Sequence, residues 1–138
     1  MNLEEYRDSK KKFRTLRRDT MYHPIRDNDN TGIFNQMSSI FMMAFAIGFH
    51  RKLLKGVEGT GSINHVNMSA IDLDTQDMII MMVLDRHPEI SSPEQSDQVW
   101  SLVEQYAEGG IEVLYESLRL SEWVLDVDSV MGSNSSNN

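Results

Sequence analysis

The chain has 138 residues, 40% of them hydrophobic and 25% charged, as expected for one globular domain with a buried core. It contains no cysteine, which excludes a disulfide framework, a thiolate nucleophile and a cysteine metal site. The net charge of −8 is uneven, because residues 1–55 carry 11 Lys and Arg against 6 Asp and Glu, and residues 56–138 carry 2 against 15.

The N-terminus and the hydrophobic runs predict a cytoplasmic protein. Residues 1–5 are polar and acidic, whereas a signal peptide has a basic end followed by an apolar run. The longest apolar run, Ile40–Phe49, is about half of the roughly 20 residues that span a bilayer. We therefore expect no membrane anchor in this sequence.

Residues 3–18 are predicted to form a basic N-terminal helix. Leu3 and Tyr6 are three residues apart, as are Phe13 and Leu16, so each pair can share a helix face. Six cations gather towards its end: Lys10, Lys11, Lys12, Arg14, Arg17 and Arg18. The sequence leaves open whether this helix packs on the core or projects from it.

The basic cluster has several interpretations. It can be a solvated helix face, or a patch that binds phosphates or an acidic partner, extended by Arg51, Lys52 and Lys55. An acidic second part repels nucleic acid, so any DNA contact is expected to come from these residues. The cluster can also meet the acidic part of a neighbouring copy, which would give a homo-oligomer.

Residues 19–33 are interpreted as a loop. Pro24 disfavours a helix around it, and residues 27–32 have a turn composition. The acidic spacing resembles a calcium loop, but with Asp27 at position 1 the bidentate Glu of position 12 is replaced by Ser38. A calcium site is therefore not expected.

Residues 34–54 are predicted to form a helix that is apolar on nearly all sides and therefore buried. Gly48 within it is costly unless another helix crosses closely there. Residues 55–73 are expected to be a linker. Its glycines lack the Lys of a phosphate-binding loop, and a weak alternation over 63–71 indicates a short β element.

Two further helices are predicted over 74–87 and 93–119. Asp74 is expected to cap the first, and Ser92-Pro93 begins the second, in which Gly109-Gly110 permits a kink or a close helix approach. Ser121 can cap a short final helix through 123–125, and the polar segment 132–138 is expected to be disordered. The predicted fold is an all-α bundle of four to five helices in one domain, residues 1–131.

No catalytic centre, metal site or cofactor is predicted. The four histidines have no metal-ligand spacing. Asp72, Asp74 and Asp77 lie close together as in a metal-dependent nuclease, but no lysine follows them, and helix capping explains Asp74 and Asp77 without a metal. Ten methionines fit a flexible core, or a groove for a partner helix.

Three segments carry a family resemblance: 33–38, the run Ala44–Phe49 with the basic residues His50-Arg51-Lys52 after it, and 103–114. They resemble the Dnd system-associated protein 4 family, accessory proteins encoded beside bacterial systems that act on phosphorothioate-modified DNA. The resemblance covers roughly residues 33–118 and implies no catalytic residues. It implies an adaptor that binds a protein from a defence or DNA-modification locus. Direct DNA binding through the basic residues, or a small nuclease, are the alternatives.

Overall fold

A computed structural model describes most of the chain, in the ranges 2–8, 12–29, 31–57, 64–67 and 70–121. The predicted final helix at 123–125, the tail 132–138 and two of the predicted site residues, Lys10 and Lys11, lie outside these ranges. The described chain is mainly α-helical, which confirms the predicted fold class.

Four α-helices and two short strands form the described fold. The helices are α1 (His23–Asp27), α2 (Met37–Arg51), α3 (Leu73–Arg86) and α4 (Ser96–Leu120), and the strands are β1 (Lys12–Thr15) and β2 (Asn64–Asn67). Leu3–Tyr6 and Pro93–Gln95 are 3-10 turns, and Arg18–Tyr22 is a turn of π-helix that leads into α1. The helices predicted over 34–54, 74–87 and 93–119 are present with slightly different ends.

Helix α4 is the centre of the fold, and α2 packs against it at unusually short range. A Cβ atom on Gly48 would lie 1.8 Å from the Tyr106 carbonyl oxygen, and one on Gly110 would lie 1.8 Å from that of Ala44. Because Ala44 meets Gly110 and Gly48 meets Tyr106, the two helices run antiparallel. The close crossing expected from Gly48 and Gly110 is therefore present.

The predicted N-terminal helix 3–18 is wrong. After the first 3-10 turn the chain forms β1, which pairs antiparallel with β2 and places Phe13 opposite Val66. Phe13 is fully buried and its ring stacks on Phe41 at 4.4 Å between centroids. Phe13 and Thr15 are buried, whereas Lys12 is exposed and Arg14 is partly exposed, so burial follows the two-residue period of a strand. The β element expected within 63–71 is present as β2.

Residues 19–33 are less irregular than predicted, because they contain most of the π-helical turn and α1. Pro24 lies in the first turn of α1, where its missing N–H leaves no helical hydrogen bond unmade. Tyr22 and Ile25 are buried and tie this segment to the core. Burial of these two side chains therefore stabilises helical structure before Asp27, where the sequence around Pro24 predicted a loop.

The cap of α3 also differs from the prediction. The Asp72 carboxylate, not that of Asp74, accepts a hydrogen bond from the Thr75 backbone N–H at 2.7 Å. Helix α3 consequently begins one residue earlier than expected, and Asp74 lies exposed in its first turn.

Candidate interaction surfaces

The predicted basic residues within the described ranges do not form one free patch. Arg14, Arg17 and Lys55 all lie against α4, where each forms an ion pair with a glutamate. Arg51 and Lys52 are exposed at the end of α2, and Lys12 is exposed on β1. Arg18 follows β1 and is partly buried. The structure therefore brings together Arg17 and Lys55, both at Glu112, and separates Lys12 from the pair at the end of α2.

Three glutamates of α4 receive the N-terminal cations and are called the acidic row: Glu104, Glu108 and Glu112. Their spacing of four places them on one helix face. Glu104 is 1% exposed and accepts hydrogen bonds from the Arg14 backbone N–H at 2.6 Å and guanidinium at 2.8 Å. Glu112 pairs with Arg17 at 3.0 Å and with Lys55. The opposite charges of the two parts of the sequence thus meet within one chain.

Sequence reasoning missed the acidic row. The signal was available, since three glutamates at four-residue spacing lie in a strongly acidic helix while the cations lie near the N-terminus. Helical spacing alone places such glutamates on one face but does not indicate burial. Their pairing depended on β1, which was predicted as helix.

Glu108 lies in the most enclosed part of the acidic row. Its side chain is buried, accepts from the Leu16 backbone N–H at 3.2 Å and lies 3.9 Å from the Arg17 Nε. Burial raises the pKa of Glu108 above its usual value, although Thr15, Leu16 and Arg17 act in the opposite direction. Burial, together with the nearby Glu108 carboxylate, also raises the pKa of Tyr22.

The raised pKa of Glu108 predicts a specific pH dependence of stability. A carboxyl that binds its proton more tightly in the folded state loses stability as pH rises from its unfolded pKa, near 4.5, through the raised value. Glu108→Gln removes this loss, so the variant should gain stability relative to wild type at pH 8 but not at pH 4. Urea unfolding at both pH values measures the difference. An equal difference at pH 4 and pH 8 would contradict the assignment.

A cleft lies beside the acidic row, between the end of α2 and α4. Lys52 ends α2 in the left-handed conformation, with φ 58°, and turns the chain back along α4. The cleft has a volume of about 510 Å³. Its lining consists of Lys52, Leu53, Leu54, Lys55, Gly109, Glu112 and Val113, and it is called the basic cleft.

A second surface lies on α3. Asp74, Met78, Met81 and Asp85 are all exposed, and their spacing places them along one line of the helix. Met78 is 52% exposed and Met81 is 56% exposed, whereas Ile79, Ile80 and Val83 on the opposite side are fully buried. These four residues are called the methionine stripe. Part of the methionine content is therefore surface rather than core.

The aspartates considered for a nuclease have structural partners. Asp72 caps α3, and the Arg7 guanidinium pairs with both carboxylate oxygens of Asp77 at 2.7 and 2.6 Å. The hydrogen bond from Arg7 holds the pKa of Asp77 below its usual value. Asp29, in the loop considered for calcium, accepts from Thr31 and from the Phe34 backbone N–H. No three acidic or histidine side chains among the described residues are grouped as metal ligands.

None of the helices in the described ranges combines the length and the apolarity that a bilayer crossing requires. Neither the curated proteins nor the solved structures contain a significant match to this chain. The family model described as DNA sulphur modification system-associated protein 4 matches residues 16–137. The match extends beyond the resembling region 33–118 at both ends and includes β2 and all four α-helices, whereas β1 precedes it. The chain therefore belongs to the DNA sulphur modification system-associated protein 4 family.

Proposed function

We propose that this protein is a non-catalytic, cytoplasmic accessory subunit of a bacterial defence complex linked to DNA modification, and that it acts by binding another protein of that system. The family name associates the chain with a DNA sulphur modification system, which supports partners from the same locus. The methionine stripe is the observation that carries the binding role.

The methionine stripe has the chemistry of a protein contact. Two large apolar side chains lie exposed side by side on a helix whose opposite face is already buried in the core. Methionine side chains adapt to partner surfaces of different shape, and grouped exposed apolar residues often mark protein contacts. Asp74 and Asp85 form the two ends of the stripe, one on each side of the methionines. The partner we propose therefore presents an apolar surface edged by Lys or Arg.

The ion pairs of the acidic row favour a protein partner over DNA. A phosphate that bound Arg14 or Arg17 would have to displace Glu104 or Glu112, because these carboxylates already occupy the guanidinium groups. Lys12, Arg51 and Lys52 are exposed. Direct DNA binding stays an alternative that rests on these three, together with Lys10 and Lys11 outside the described ranges, and it predicts affinity that falls steeply with salt.

Replacing both methionines should distinguish binding of a protein partner from direct DNA binding. A tagged Met78→Glu, Met81→Glu variant is expected to lose at least tenfold of the captured sulphur-modification proteins in a pull-down from host lysate, because two charges would enter an apolar contact. Capture by the wild-type chain should persist after nuclease treatment, with the captured proteins identified by mass spectrometry.

Ile33→Glu is the matched control, since Ile33 is 61% exposed and lies outside the stripe. It should retain capture. Equal capture by the double variant would contradict the role of the stripe. Capture that disappears with nuclease would instead mean that the link runs through nucleic acid, and Lys12, Arg51 and Lys52 would become the residues to replace.

A further inference from the structure

The basic cleft carries more positive charge than the chain around it neutralises. Arg17 and Lys55 share the carboxylate of Glu112, and Glu108 lies 3.9 Å from the Arg17 Nε. Lys52, which lines the cleft, and Arg51, which precedes it in the chain, are exposed and form no ion pair with a described residue. In a protein of net charge −8, this leaves a local excess of cations beside a cavity.

The lining of the basic cleft is also apolar. Leu53, Leu54 and Val113 line it, and Leu54 is 48% exposed. A phosphate group would use the cations but would gain nothing from the leucines. A peptide that carries both carboxylates and bulky apolar side chains would use both, because apolar burial and charge complementarity then act together.

The sequence that follows α4 has this chemistry. Residues 122–131 read Glu-Trp-Val-Leu-Asp-Val-Asp-Ser-Val-Met, with three carboxylates, no Lys or Arg, and six large apolar side chains. These residues lie outside the described ranges, and the family match includes them. From Val113 to Ser121 helix α4 rises roughly 12 Å at about 1.5 Å per residue. Ten extended residues reach about 33 Å, so the segment is long enough to return to the cleft.

We propose that residues 122–131 bind the basic cleft of the same chain, with their carboxylates at Arg51 and Lys52 and an apolar side chain against Leu54. This contact is independent of the methionine stripe. Its test and the pull-down can therefore fail separately.

The absence of native cysteine makes disulfide trapping a direct test. The full chain carrying Leu54→Cys and Val130→Cys should form an intramolecular disulfide under mild oxidation at least tenfold faster than a chain carrying Ile33→Cys and Val130→Cys. Val130 is used because it is nine residues past Ser121, a reach of about 30 Å when extended. Ile33 precedes α2, whose length of roughly 21 Å separates it from the cleft. Because α2 and α4 run antiparallel, the start of α2 lies towards the end of α4, from which the segment leaves, so faster closure at Leu54 than at Ile33 cannot result from proximity to that end. Lys52→Cys replaces Leu54→Cys as a second reporter, in case the first variant is unstable.

Charge provides the second arm of the experiment. Arg51→Glu and Lys52→Glu in the chain with the Leu54 and Val130 cysteines should slow closure at least fivefold. Closure no faster than the Ile33 control overturns the proposal, and so does closure that is unaffected by charge reversal. Disulfide-linked dimers in place of closed monomers would also overturn it, since the occupant would then be the segment of a second copy.

Discussion

Gly110→Ala is expected to destabilise the protein by about 3 kcal/mol, although alanine is the better helix former by roughly 1 kcal/mol. The added methyl carbon would lie 1.8 Å from the Ala44 carbonyl oxygen and 2.7 Å from the Gly48 nitrogen. Both contacts are with backbone, which cannot rotate away, so α2 and α4 would have to move apart. The free energy of unfolding in urea measures the loss, and Gly48→Ala should behave in the same way.

Gly56→Ala is the control for this prediction. Apart from its neighbours in the chain, no atom of a described residue lies within 4 Å of a Cβ built at Gly56, so this substitution should leave stability within about 0.5 kcal/mol or raise it slightly. A Gly110→Ala protein as stable as wild type would contradict the close crossing of α2 and α4.

The parts of the fold that the sequence predicted are those where local pattern and burial agree. Helices α2 and α3 contain long apolar runs ended by basic residues or by Pro88, and their positions were correct to within a few residues. The two-glycine site in α4 correctly indicated a close helix approach.

The N-terminal segment was wrong because its signal is not local. The pattern of Phe13 and Leu16 fits a helix, but Phe13 is buried between Phe41 and Trp100, and its strand is completed by β2 about fifty residues later. Tertiary contacts therefore overrode the spacing of two apolar residues.

The candidate site was predicted only in part for the same reason. The sequence identified the cations and the acidic second part as complementary, and it left open whether they meet between copies. With β1 laid along α4, Arg14 and Arg17 reach the acidic row of their own chain. Three of the nine predicted basic residues, Arg14, Arg17 and Lys55, thus form ion pairs with glutamates of α4, and this changes how any substitution of them is to be interpreted.

Glu104→Ala is expected to destabilise the protein by about 2 to 3 kcal/mol, because it leaves two groups of Arg14 without their acceptor. The Arg14 backbone N–H donates to one carboxylate oxygen and its guanidinium donates to the other. The Arg14 side chain is 38% exposed, so water can replace part of the lost hydrogen bonding at its guanidinium. The hydrogen bond from the Arg14 backbone N–H, which holds β1 on α4, is not replaced. Urea unfolding measures the effect.

Helix α4 supplies a matched control in the pair of Glu116 and Arg119. The N–O distance is 2.8 Å in both pairs, but the Glu116 side chain is 51% exposed and that of Glu104 is 1% exposed. Glu116→Ala should therefore leave the free energy of unfolding nearly unchanged, since water replaces the partner of an exposed charge. Similar costs at the two positions would mean that burial does not distinguish them. A large cost at Glu104 alone means that a DNA-binding defect in an Arg14 variant reflects lost folding rather than a lost phosphate contact.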